Sequence, residues 1–236
     1  MAEPRHNKGF EYKGFTLAEV LITLGIIGVV AAITIPPLIS SFDKKDKASK
    51  IKKFYSTMSQ AIQLSEIENG PATTWVKNPM AYDEEGNYDT DLNKQYTMDF
   101  FKTYILPYMK YSKISDGSAY NKPDGTNITI KIWLNDGTTF ETKNGSCIDV
   151  VLDTNAENLP NIFGKDQFQF VICNQSSDQK AYWGNTNRIF GPYLYPNRTY
   201  YSSRQKALQR CKDIPATCSA LLIMYDNFVF KDDYPW

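Results

Sequence analysis

Histidine is almost missing from this chain, with one residue, His6, in 236. Catalysis beyond that position would have to work without imidazole, which excludes Ser-His and Cys-His nucleophile pairs and histidine-rich metal centres. Cysteine is scarce as well. The four residues, Cys147, Cys173, Cys211 and Cys218, all lie in the second half of the chain. No C-x2-C pair occurs among them, so the spacing argues against a four-thiolate zinc site. An even count points instead to two disulfides and an oxidising compartment. Net charge is missing too: 26 basic and 26 acidic side chains cancel. Bulk electrostatics therefore gives no reason to expect nucleic acid as a partner.

Charge is also absent over one long stretch. From Phe15 to Ile39 the only ionisable side chain is Glu19. The run exceeds the roughly 20 residues that a helix needs to cross a bilayer. It is longer than the apolar core of a secretory signal peptide, and it passes through Pro36-Pro37 into lysine-rich sequence without a small-x-small cleavage site. A plain signal anchor accounts for the length but not for Glu19, because a carboxylate in a bilayer is costly and needs a partner. A proton-relay acid would need a second intramembrane ionisable group, and the run holds none. The two prolines are expected to kink or interrupt a helix.

The stretch Gly14-Phe15-Thr16-Leu17-Ala18-Glu19, followed by the apolar helix and Pro36, resembles the prepilin-type cleavage and methylation signature. That signature belongs to type IV pilins, type II secretion pseudopilins and competence pilins. The resemblance covers the first quarter of the chain. It implies cleavage between Gly14 and Phe15 by a prepilin peptidase and N-methylation of Phe15. It also implies an assembly role for Glu19 and a helix bend at Pro36, with Pro37 as an extra proline. In a filament the new amine of one subunit could approach Glu19 of a neighbour, and a low-dielectric setting would let that ion pair fix register. Gly9-Phe10 repeats the "GF" pair but has no apolar run or matching acid behind it. The expected partners are the peptidase, copies of the chain or related pilins, an inner-membrane assembly platform and membrane lipid.

Orientation brings a conflict. Arg5, Lys8 and Lys13 precede the apolar run, while Lys44, Lys45, Lys47, Lys50, Lys52 and Lys53 follow it. Counted by the positive-inside rule, the C-terminal side belongs in the cytoplasm. The cysteines and the resemblance both place it outside, in a single-pass inner-membrane protein, and that orientation is the one adopted.

Ala48, Ile51, Phe54, Tyr55, Met58, Ile62 and Ser65 recur at steps of three and four, the stripe of an amphipathic helix. Asn69-Gly70-Pro71 ends it. A continuous helix from Phe15 to Glu68 would be about 80 Å long. Further on, "YTMDFFKTYILPYMKY" (96–111) has helical spacing broken at Pro107. "NITIKIWL" (127–134), with Ile128, Ile130, Ile132 and Leu134 on one face, turns at Asn135-Asp136-Gly137 into "TTFETK". "CIDVVLD" (147–153) and "DQFQFVIC" (166–173) form a second strand pair, "SSRQKALQR" a short helix, and "SALLIMY" and "FVF" two more strands around Asp226-Asn227. The expectation is an α+β chain with the pilin fold: a long N-terminal helix, half membrane and half amphipathic, packed on a C-terminal antiparallel sheet. Its segments are a leader (1–14), a membrane or filament-core helix (15–42), an amphipathic continuation (43–70) and a globular region (71–236).

Four cysteines allow three pairings. Cys147 and Cys173 are symmetric about Pro160, so an antiparallel hairpin places them opposite each other. Cys211 and Cys218 then pair locally. Asp149, Asp153, Asn155, Glu157 and Asp166 gather oxygen ligands around one loop, a candidate calcium site without the glycine of an EF-hand. A solvated acidic loop is the stronger reading, and no cofactor is expected. The "PNIFGKD" loop (160–166) and the closing "DDYPW" also resemble pseudopilin-like proteins. Tyr193, Tyr195, Tyr200 and Tyr201 with Arg188, Arg198 and Arg204 resemble a stacking surface for single strands or glycans, though packing between subunits explains them better. Two functional classes remain. One is a filament subunit, of a pilus or a pseudopilus. The other is a membrane-anchored binding module or hydrolase that shares only the N-terminus, and the hydrolase is disfavoured by the lack of histidine and of any nucleophile motif.

Overall fold

The computed structural model describes residues 14–117, 129–156, 158–184, 188–194 and 201–235. The leader before Gly14, Ile128, Glu157, Tyr195, Arg198, Tyr200 and Trp236 lie outside the described residues. The chain divides into two units, one ending at Asp43 and the other beginning at Lys44.

Helix α1 spans Leu17–Asn69 and continues through Pro36 and Pro37 without interruption. The prolines remove two backbone donors, yet the helical assignment holds on either side. In the first unit almost every side chain is exposed, and the stretch is long and apolar enough to cross a membrane. Two of its threonine hydroxyls are satisfied within the helix. Thr23 Oγ1 donates to the Val20 carbonyl and Thr34 Oγ1 to that of Val30, each at 2.9 Å. Such back-bonding is the arrangement by which a hydroxyl is tolerated in an apolar setting.

In the second unit α1 supplies one wall of the core. Ala48, Ile51, Phe54, Met58, Ala61, Ile62 and Ser65 are buried, while Tyr55 is only half-buried. Gly70, at φ 75°, takes the left-handed conformation that ends the helix. The opposite wall is a six-stranded antiparallel meander: β1 (Tyr111–Asp116), β2 (Ile130–Leu134), β3 (Thr139–Asn144), β4 (Ile148–Asp153), β5 (Gln167–Ile172) and β6 (Phe190–Pro192), adjacent in chain order. Alternate residues face α1: Ile130 and Ile132, Phe140, Ile148, Val150 and Leu152, then Phe168, Phe170 and Ile172. The registers Ile132↔Phe140, Phe140↔Leu152 and Leu152↔Phe168 put these side chains in one row across four strands. Phe54 sits at the centre, with ring centroids 5.3 Å from Phe140, 5.8 Å from Phe170 and 6.1 Å from Phe190.

Helix α2 (Thr90–Tyr104) is capped by Asp89, whose carboxylate accepts from Leu92 N, and buries Phe100 and Phe101 in the same core. The helical spacing read from Tyr96 to Tyr111 therefore ends earlier. A single turn at Leu106–Tyr108 absorbs Pro107, and Tyr111 already opens β1. Helix α3 (Ser176–Trp183) and strand β6 had no expectation in the sequence.

The C-terminal reading needs correction. "SALLIMY" is helix α5 (Ser219–Tyr225), packed beside α4 (Arg204–Asp213), and "FVF" is not a strand. The buried positions Ser219, Ala220, Leu222 and Ile223 follow a helical period that a seven-residue apolar run does not distinguish from a strand. Asp226-Asn227, taken for a hairpin turn, is a helix stop. Asn227 has φ 53°, its N–H donates to the Met224 carbonyl at 3.1 Å, and Phe228 N donates to that of Ile223 at 2.8 Å. This is the Schellman pattern of a helix C-terminus.

Candidate functional site at the N-terminal helix

At Gly14 the fold gives no reason for glycine. A Cβ built there meets nothing within 4 Å, and the residue does not adopt a positive φ. Neither packing nor a left-handed backbone therefore requires glycine at this position. Phe15, the next residue, is 89% exposed.

Glu19 is held by a reciprocal cap. Its Oε2 accepts from Thr16 N and Thr16 Oγ1, both at 2.8 Å, and Thr16 Oγ1 accepts from Glu19 N at 3.2 Å. Thr16 is the N-cap of α1 and Glu19 the third helical residue, so this is a capping box. It satisfies two backbone donors at the start of the apolar helix and fixes the carboxylate next to residue 15. The T-x-x-E spacing carries the signal in the sequence, and the sequence reading did not use it.

The lysines beyond the apolar stretch are largely committed to the fold. Lys47 is buried, Lys50 Nζ lies 2.8 Å from Asp46, and Lys53 Nζ lies 2.9 Å from Asp136 in the β2–β3 turn. A count of formal charges therefore overstates the positive potential on this side of the helix.

The structure joins Cys147 to Cys173 and Cys211 to Cys218, with Cα separations of 4.6 and 5.5 Å. The first bridge flanks the Ile148↔Ile172 register pair between β4 and β5. The second ties α4 to the short turn before α5.

Of the oxygen ligands grouped by sequence, Asp153, Asn155 and Asp166 meet around one loop, and Asp149 does not join them. Asp149 and Asp153 share the outer face of β4 but stand four residues, about 13 Å, apart along the strand, too far for one ion. Asp166 is spent on its own loop, accepting from Ile162 N at 2.6 Å, Asn161 N at 2.9 Å and Asn155 Nδ2 at 3.4 Å. Asp153 accepts from Asn155 N at 3.0 Å and Gln167 Nε2 at 3.2 Å. Among the described residues no group of three or more His, Cys, Asp or Glu is arranged to hold a metal. Of the aromatic–arginine cluster, Tyr195, Arg198 and Tyr200 lie outside the described residues. Arg204 forms ion pairs with Asp226 and Asp233, and Arg188 lies 5.8 Å over the Trp183 ring.

Asp149 is the outlier on the outer sheet face. Burial pushes its carboxyl up to about 6, against the pull of Lys143 and Lys77. Burial lowers Lys77 in turn, offset by Asp178 and Asp149, and its Nζ donates to the carbonyls of Gly145 at 2.6 Å and Asn78 at 3.1 Å. A carboxyl whose folded pKa exceeds its unfolded value favours folding below the unfolded pKa, near 3.9. That contribution is lost as the pH rises through about 6. Asp149→Asn is therefore expected to stabilise the protein at pH 7.5 by about 1–2 kcal/mol and to give no gain at pH 4. Thermal unfolding of both proteins at the two pH values measures this. Equal shifts at both would assign the effect to something other than ionisation.

An exposed apolar helix opened by a Gly-Phe pair and a capped acid, ahead of a helix-on-meander domain, defines the class: an α+β protein of the pilin type with a prepilin-like N-terminus. A family model described as the prokaryotic N-terminal methylation motif matches residues 11–35. The chain belongs to a family of unknown function (DUF6613), whose model matches residues 37–236. The chain is similar to type II secretion system core protein G of Pectobacterium carotovorum subsp. carotovorum, at 28% identity over 90 residues. It is also similar to the protein of the same name from Dickeya chrysanthemi, at 30% over 86 residues. These alignments cover 35% and 34% of this chain, and the chain spans 57% and 56% of the relatives' length. No solved structure matches.

Proposed function

We propose that the chain is a structural subunit of a type II secretion pseudopilus or a related pilus, and not an enzyme. The observation that carries this is the register of Gly14, Phe15 and Glu19 at the head of an exposed, membrane-length apolar helix. The similarity to secretion core protein G supports the pseudopilus branch. In this reading residues 1–14 are a leader removed by a prepilin peptidase, and Phe15 becomes the methylated terminus. Residues 15–42 anchor the subunit in the inner membrane and later enter the filament core. Residues 43–70 tie that helix to the domain of 71–236, which lies outside the cytoplasm. The assembly platform at the inner membrane moves the subunit from one state to the other.

The capping box gives the chemistry a starting point. Cleavage after Gly14 turns the Phe15 amide nitrogen into a cation one residue from the Thr16–Glu19 cap. Glu19 is then the nearest carboxylate in the sequence to the new charge of its own subunit, and it is equally open to the amine of a neighbour. Intact-mass and N-terminal peptide analysis of the protein from membranes should find a terminus at methylated Phe15. A terminus at Met1, or one after Ser40, would overturn the proposal.

A further inference from the structure

The segment from Trp75 to Pro79, between α1 and α2, is strapped to the turn that joins β3 to β4. Lys77 Nζ donates to the Gly145 carbonyl at 2.6 Å. Asn144 Nδ2 donates to the Pro79 carbonyl at 3.2 Å and to Asn93 Oδ1 at 2.9 Å. Asn174, just past β5, donates to the Trp75 carbonyl at 2.7 Å. Lys77 is the one charged side chain in this strap. Asp149 stands beside its contact, since a Cβ built on Gly145 would lie 4.0 Å from Asp149 Oδ2. Four groups from four segments act on that carboxyl: Lys77 of the strap, Lys143 of β3, Tyr88 ahead of α2 and Tyr182 of α3. Asp178 of α3 acts on Lys77, and Tyr193 bonds to Tyr182. Yet among the described residues Asp149 takes part in no hydrogen bond or ion pair. Lys77 is thus tied to a carbonyl next to a carboxyl that it does not pair with.

We propose that Lys77 is a proton-gated latch: it holds the strap to the β3–β4 turn while Asp149 is protonated, and ionisation of Asp149 releases it. An enclosed carboxylate without a donor is unfavourable. Lys77 answers it by leaving the Gly145 carbonyl, and the strap gives way as water reaches the acid. The inference goes beyond the filament reading and does not depend on it. Burial pushes Asp149 up to about 6, so the closed strap is favoured below the ordinary carboxyl value, near 3.9, and that preference is lost as the pH rises through about 6. Burial also pushes the Tyr88 and Tyr182 hydroxyls up, away from neutral pH, so neither gates the latch. The Asp178 carboxyl is raised by burial as well, which makes it the rival gate.

The experiment is amide hydrogen exchange, read by peptide mass spectrometry on the full chain in detergent micelles at pH 5 and pH 7.5. Wild type is compared with Asp149→Asn over the strap (75–81) and over β5 (167–172). Dividing the wild-type rate by the variant rate at each pH cancels the intrinsic pH dependence of exchange. With Asp149 near 3.9 when the strap is open and about 6 when it is closed, this ratio should rise about tenfold from pH 5 to pH 7.5 in the strap and stay level in β5. A flat ratio in the strap would overturn the proposal. An equal rise in β5 would do the same, since the opening would then be global unfolding. Lys77→Met should exchange quickly in the strap at both pH values, and a wild-type response from it would mean that the lysine is not the latch. Asp178→Asn should keep the wild-type rise; its loss there would move the gate to Asp178 and overturn the assignment to Asp149.

Discussion

Glu19→Ala should reduce filament yield by roughly tenfold or more while leaving the folded domain and cleavage after Gly14 intact. Among the described residues the side chain bonds only to Thr16, and the buried positions of α1 begin at Lys47, so no core contact is lost. Glu19 also lies beyond the proposed scissile bond, so a prepilin peptidase would still meet Gly14 and Phe15. In the proposed filament, what would be lost is the counter-charge for the Phe15 amine, and an unpaired cation in an apolar core is strongly unfavourable at every subunit. The capping box complicates the alanine result, because its loss also frays the helix start. Glu19→Gln separates the two effects. Glutamine still serves the third position of a capping box but carries no charge. Yields of filaments and of processed monomer from the three proteins decide the matter. Wild-type yield from the glutamine variant would mean that Glu19 caps the helix and does not pair with the amine.

Phe54→Ala should destabilise the domain by about 3–5 kcal/mol, the usual cost of removing a buried phenylalanine. Phe54 is 2% exposed and touches the rings of Phe140, Phe170 and Phe190, so its removal opens a cavity where α1 meets strands β3, β5 and β6. Against a total stability of about 5–15 kcal/mol this is a large fraction. It corresponds to a fall in Tm of roughly 10 °C. Ser56→Ala, on the exposed stripe of the same helix, is the control and should change stability by less than about 0.5 kcal/mol. Near-UV circular dichroism on heating measures both. A small effect at Phe54 would mean that α1 is not the spine of the core.

Several features could be read from the linear sequence because their information is local. A peptidase-type signature is a contiguous string, and an apolar run of membrane length declares itself by composition. The helical stripe from Ala48 to Ser65 and the hairpin symmetry of Cys147 and Cys173 about Pro160 are spacings along one or two adjacent elements. The T-x-x-E cap was equally local and was there to be read.

Other features were settled only when distant parts of the chain met. A short apolar run such as Ser219–Tyr225 satisfies strand and helix alike, and packing beside α4 together with the Asn227 stop selects the helix. Acids close in sequence part company because a strand advances about 3.3 Å per residue, which separates Asp149 from Asp153. Whether a lysine is free is likewise invisible in a count of charges. Lys53 is neutralised by Asp136, 83 residues further on, while Lys52 beside it points to solvent. Periodicity along one element shows which face is apolar, but it says nothing about what the chain brings back to meet that face. The N-terminal helix could therefore be read from its sequence, and the chemistry of the sheet's outer face could not.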